Sequence, residues 1–178
     1  DLPLSIKLTF HPITGKLYGE QCVGYDGVDK RIYQIALLIK RGGTIYDLME
    51  VEHTYAPPFS SAKDPIAIAG YVANNIINGT MPIVTWRELH EVDKNKVFIL
   101  DVRTEDEFSM GHISGAAHIP LEKLRDSLAG IPKDKTIYVY CAVGLRGYLA
   151  AKILMPSGYS DVKNVSGGHK TYFMATMP

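Results

Sequence analysis

The sequence predicts an α/β protein, a parallel sheet flanked by helices, preceded by a smaller α+β unit. Three observations lead there. In the second half, short runs of apolar β-formers such as VFILDVR and TIYVYC alternate with helix-patterned segments such as RGYLAAKILMPSG, and strands covered on both faces read as continuous apolar runs. The first half lacks that alternation and opens instead on two β-rich runs around HPITG, whose Pro and Gly suit a hairpin connection. Between them stands NGTMP, where Gly79 and Pro82 punctuate the chain. The expected domains are therefore residues 1–80 and 81–178.

Taken in order, LSIKLTF and GKLYGEQCVGY are the hairpin strands. VDKRIYQIALLIKRGG carries Ile32, Ile35, Ala36 and Ile39 at helical spacing and ends on Lys40, Arg41 and a glycine pair, a basic last turn with a permissive exit. TIYDLMEVE is a shorter helix capped by Thr44. HTYAPPFSSAKDP is irregular, because Pro57, Pro58 and Pro65 remove backbone donors and fix φ. IAIAGYVANNII is a further helix. Beyond the boundary, VFILDVR is a buried strand and TEDEFSMG a short helix in which Thr104 and Glu107 form a capping box. AAHIP is a short strand, LEKLRDSL a helix, TIYVYC a second buried strand, RGYLAAKILMPSG a helix, DVKNVSG a strand and HKTYFMA a final helix.

Composition removes several function classes. Nineteen basic residues balance nineteen acidic ones, which argues against a nucleic-acid binder relying on a basic face. No run reaches the length of a membrane-spanning helix and no signal peptide opens the chain, so a cytoplasmic protein without a membrane partner is expected. The two cysteines, Cys22 and Cys141, lie far apart and lack partners at metal-ligand spacing, which predicts a reduced protein with no metal site. The chain opens on DLPLSIKLTF without an initiator methionine and ends on YFMATMP. It reads as an excised piece of a longer polypeptide, although removal of a short leader explains its start equally well.

The chemistry concentrates after TIYVY. In an open α/β sheet ligands bind beyond the carboxyl ends of the strands, and Cys141 falls there. Ala142, Val143, Gly144 and Leu145 connect it to Arg146, which opens the helix. Gly144 lets the backbone curl so that several N–H groups point inward as an anion nest. The helix start and the guanidinium add positive charge, and together these stabilise a thiolate or persulfide. The competing reading is a buried structural thiol beside a corner-turning glycine. A cysteine-dependent phosphatase holds its phosphate in a loop one residue longer. The four residues between Cys141 and Arg146 favour a single sulfur carried on the cysteine.

LDVRTEDEFSMGHISGAAHIP, YCAVGLRGYLAAKIL and GYSDVKNVSGGHKTY, in that order, resemble the rhodanese family over nearly all of residues 83–175. The resemblance implies that Cys141 is the sulfur-accepting nucleophile, with Ala142 to Arg146 as the loop around its persulfide. Asp101, Arg103 and His112 match further signature positions that are mostly structural or line the entrance. Asp101 is expected to satisfy backbone donors at a strand end, and His112 to bond within a turn. His118 stands where many members have Asn, and Gly147 where many have Ser. The second departure removes a hydroxyl beside the active helix and puts donor preference, rather than the chemistry, in question.

In the first section, GKLYGEQCVGYDGVDKRI, HTYAPPFSSAKDP and IAIAGYVANNII resemble the dimerisation domain of FAD-dependent pyridine nucleotide-disulfide reductases. Together with VGLRGY the pairing resembles fused coenzyme A-disulfide reductases that also reduce CoA persulfides and polysulfides. This implies FAD, NAD(P)H and CoA as cofactors of a full-length homodimer with reductase domains upstream. It also implies sulfane-sulfur donors and thiol acceptors, CoA persulfide among them, as partners. No Gly-x-Gly-x-x-Gly fingerprint occurs here, so neither nucleotide nor reductase activity is expected of this chain alone. Tyr55 matches a tyrosine that reaches the neighbouring subunit's active cysteine, or is simply an aromatic packed on two prolines. Cys22 is expected to be a small buried hydrophobe. Tyr71, Ile76 and their neighbours on the last helix are expected to form an exposed apolar patch, or one covered by a second copy. The rival to sulfur transfer is a non-catalytic dimerisation and sulfur-binding or docking module.

Overall fold

The computed structural model describes residues 3–54, 56 and 62–177. The chain divides into two compact units, Asp1–Thr80 and Met81–Pro178. In the first, strands β1 (Leu4–Phe10) and β2 (Leu17–Gly24) pair antiparallel. The connecting turn is closed by the His11 ring, whose Nδ1 accepts the N–H groups of Ile13 and Thr14. Helices α1 (Val28–Lys40), α2 (Ile45–Glu50) and α3 (Pro65–Ile77) follow. Leu17, Ile35, Ile45, Leu48, Ile66 and Ala73 form one core. Gly70 permits the close crossing of α3 on α2, since a β-carbon there would stand 3.0 Å from the Ile45 carbonyl oxygen. Asp64 caps α3 and pairs with Arg31 at 2.8 Å.

Sequence periodicity misplaced some faces in this unit. Ala36 is exposed while Leu38 packs on the core. On α3 exposed apolar residues are present as expected, but at the neighbours Ile68 and Val72, one turn apart, while Tyr71 and Ile76 themselves are half-buried. Cys22 is also half-buried rather than enclosed. Burial pushes its thiol up in pKa; nearby Arg31 opposes this and Glu20 adds to it.

The second unit is a five-stranded, all-parallel sheet in the order β3-β7-β6-β4-β5. Its strands are β3 (Ile83–Val84), β4 (Val97–Asp101), β5 (Ala117–His118), β6 (Thr136–Tyr140) and β7 (Val162–Val165). Its helices are α4 (Trp86–Glu91), α5 (Glu105–Ser109), α6 (Leu145–Leu154) and α7 (Gly168–Thr176). Alternate residues of each strand feed two cores, as the period of two demands. Leu100, Ile137, Val139 and Cys141 join Ala150 and Leu154 of α6 on one face. Val97, Ile99, Tyr138 and Tyr140 join Leu89 and Val165 on the other. LEKLRDSL, expected as a helix, takes the 3₁₀ form within Leu121–Gly130. Pro120 at its start and a single buried residue, Leu124, leave little amphipathic drive for a longer α-helical register. α4 was not foreseen, although Thr85 and Glu88 form a capping box at its start.

Candidate functional site

Cys141 follows the last residue of β6 on the face of Ile137 and Val139, so the alternation that builds the core also buries this thiol, to 1% exposure. The chain then turns through Ala142, Val143 and Gly144 into α6. Gly144 adopts φ +129°, a region closed to most side chains. Its N–H donates to the Cys141 Sγ across 3.1 Å.

The loop's carbonyls are turned away from that sulfur by bonds to distant elements. The Cys141 oxygen accepts the His169 N–H at 2.8 Å and the Ala142 oxygen accepts the Lys170 N–H at 3.0 Å. The Gly144 oxygen accepts the side-chain amide of Asn164 at 3.0 Å. Two of these donors are the first free N–H groups of α7, which a helix leaves unpaired. Gly168 allows the approach, because a β-carbon there would lie 2.4 Å from the Cys141 oxygen. With the acceptors drawn outward, the amide edge of the loop is left for an anion on the sulfur.

Arg146 lies in the first turn of α6 and is gripped by Glu107 of α5 through two parallel bonds of 2.7 Å. The same carboxylate caps α5, accepting from Thr104 N–H at 3.0 Å and from its hydroxyl at 3.1 Å. Arg146 above all, with Thr104 adding to it, holds the Glu107 carboxyl down to a pKa of about 2 against the opposing effect of burial. In return Glu107 raises Arg146 above the usual guanidinium range, and Cys141 contributes in the same direction. The predicted cation is thus present beside the thiol, already shared with a carboxylate.

Asp101 and Arg103 form a buried pair, with Arg103 also donating to the Gly111 carbonyl at 2.7 Å. Asp101 accepts the Arg103 N–H at 2.9 Å, the backbone service expected of it. His112 bonds the Phe108 carbonyl at 3.1 Å and His118 the Arg103 carbonyl at 2.9 Å. Their rings stack on Phe108 with centroids 3.9 and 4.3 Å away. Val143 and Leu145 project outward, 60% and 67% exposed, and Gly147 is buried against β7. Tyr55 lies outside the described residues. Sequence reasoning missed three parts: the second role of Glu107, the amide of Asn164, and the glycine pair that aims α7 at the loop. An Asn beside Val165 in the short strand VKNV and two glycines at a helix start were the available signals.

The family model for the rhodanese-like domain matches residues 86–175. The chain belongs to the rhodanese family. A sulfurtransferase of Allochromatium vinosum is 37% identical over 76 residues, which cover 43% of this chain and 71% of that protein. Among solved structures, the reduced form of Bacillus anthracis CoADR-RHD is 48% identical with a TM-score of 0.92, covering 96% of this rhodanese-family chain. A NAD-dependent persulfide reductase from A. fulgidus is 35% identical with a TM-score of 0.83 over the same share. The chain spans 30% of the length of each of those two solved chains. Among the described residues no group of side chains is placed to hold a metal ion, and no helix is long and apolar enough to cross a membrane.

Proposed function

We propose that the second unit transfers sulfane sulfur through a persulfide on Cys141. We further propose that the whole chain is part of a FAD- and NAD(P)H-dependent reductase of CoA disulfide, CoA persulfide or polysulfide. The observation that carries the first reading is the Gly144 N–H bonded to the Cys141 Sγ inside a loop whose Cys141, Ala142 and Gly144 carbonyls are engaged elsewhere. The second rests on similarity along 96% of the chain to a CoADR-RHD and to a persulfide reductase.

The Cys141 thiolate attacks the outer sulfur of the donor. The donor's S–S bond breaks, its electron pair leaves with the inner thiolate, and a new S–S bond forms on Cys141. Loop amides aimed at the terminal sulfur stabilise the persulfide anion, with the Glu107-bound Arg146 orienting the start of α6 beside it. An acceptor thiolate, CoA or a cysteine of the reductase portion, then attacks that sulfur and regenerates Cys141. In this reading residues 1–80 are the reductase dimerisation domain, Tyr55 reaches the active site of a second subunit, and the protein is cytoplasmic. Val143 and Leu145 border the donor's path, whereas Gly147, expected there too, is buried against Asn164.

Intact mass after incubation with CoA persulfide, and separately with thiosulfate, tests the reading. The expected result is a gain of one sulfur, removable by cyanide and lost in Cys141→Ser. Undiminished transfer in Cys141→Ser overturns it. An unmodified, alkylation-insensitive wild-type chain supports a docking module instead.

A further inference from the structure

Gly147 sits inside α6, where glycine is less favourable than alanine by about 1 kcal/mol. Its φ is not in the left-handed region, so backbone conformation does not require it. Space does. A β-carbon at this position would fall 2.2 Å from Oδ1 and 3.2 Å from Cγ of Asn164. Asn164 is itself unusual, a polar residue 8% exposed on β7 between buried Val162 and Val165. Its Nδ2 donates to the Gly144 carbonyl, while its buried Oδ1 has no hydrogen-bond partner. A buried amide half-satisfied in this way is costly unless its position is put to use.

We propose that Gly147 and Asn164 act together as a positioning pair for Cys141: the missing side chain admits the Asn164 amide, which anchors Gly144 so that its N–H meets the sulfur. Gly144 is the residue that most needs an anchor, since it lacks a β-carbon and adopts a conformation open almost only to glycine. Its carbonyl accepts the Tyr148 N–H of α6 at 2.9 Å and, from β7, the Asn164 amide, which adds the tether from outside the helix, while its N–H bonds Sγ. Neither residue touches the reacting sulfur in this arrangement; both act through the loop. The proposal rests on Cys141 being the reactive thiol but not on which donor it meets.

The test is the rate of iodoacetamide alkylation of Cys141 against pH, in a Cys22→Ala background, for Asn164→Ala, Gly147→Ala and the double variant. The charged and titratable groups set around the loop include Arg146 with Glu107, His169 and Lys170 of α7, and the Asp101–Arg103 pair and His112, which act on His169. All are unchanged in these variants, so a moved profile reports the loop. Losing one anchoring hydrogen bond should slow alkylation at neutral pH about three- to tenfold, with the profile displaced to higher pH. Gly147→Ala should do the same by evicting the Asn164 amide. The double variant, in which the β-carbon has room, should be no slower than Asn164→Ala alone. Parental profiles in folded Asn164→Ala and in the double variant overturn the proposal. So do penalties that add in the double variant. Should Gly147→Ala fail to fold, Asn164→Ala and the double variant still decide. Failure of the parent to take up sulfur, with these alkylation differences intact, would count against sulfur transfer alone.

Discussion

Glu107 carries two tasks on one carboxylate, capping α5 through Thr104 and gripping Arg146. Replacing it with Ala removes both, so Glu107→Ala should lower stability by about 1–2 kcal/mol, read by urea unfolding, and slow sulfur loading of Cys141. Its pH signature has a definite sign. The folded pKa, about 2, lies below the unfolded value, so the contribution is complete above the unfolded carboxyl range and fades as pH falls towards 2. A urea midpoint series between neutral pH and pH 2 should therefore show a larger acid-dependent loss in the parent than in Glu107→Gln; equal slopes would refute the assignment. The capping box was legible from Thr104 and Glu107 alone because it depends on spacing within one helix. The grip on Arg146 was not, since it joins residues 39 positions apart and no local pattern encodes it.

At the level of elements, β6 and α6 were readable because a run of β-formers and an amphipathic segment each declare themselves in a short window. What supports the cysteine loop was hidden for the opposite reason: its props come from β7 and α7. The N–H groups of His169 and Lys170 reach the loop only because Gly167 and Gly168 take positive φ of 74° and 59°. Gly168→Ala both strains that backbone and drives a β-carbon into the Cys141 carbonyl. It should cost on the order of 1–3 kcal/mol in chemical denaturation, with Cys141 alkylation slowed more than the melt alone would explain. Wild-type stability and alkylation in that variant would show that α7 does not brace the loop. The 3₁₀ course of Leu121–Gly130 and the unforeseen α4 mark the other limit of local reading. Both are short, and short helices take their form from what they pack on.

For the molecule as a whole, each unit has its own apolar core. Leu48→Ala in the first should destabilise that unit by about 2–5 kcal/mol and leave alkylation of Cys141 unchanged under native conditions. An altered alkylation rate would reveal coupling between the units. The boundary residues and the parallel sheet followed from composition and punctuation, whereas the exposed faces of α1 and α3 did not, because periodicity says which residues share a stripe but not how wide the buried stripe is. The backbone bonds from α7 to the Cys141 loop also govern the order of assembly. On the ribosome, strands β4, β5 and β6 can emerge and pair while the Cys141 loop is still unbraced, since the residues that turn its carbonyls away are made nearly thirty positions later. The bracing of the Cys141 loop is the last thing this unit finishes. A chain cut short before α7 would fold its strands and still leave the loop around Cys141 without its outer supports.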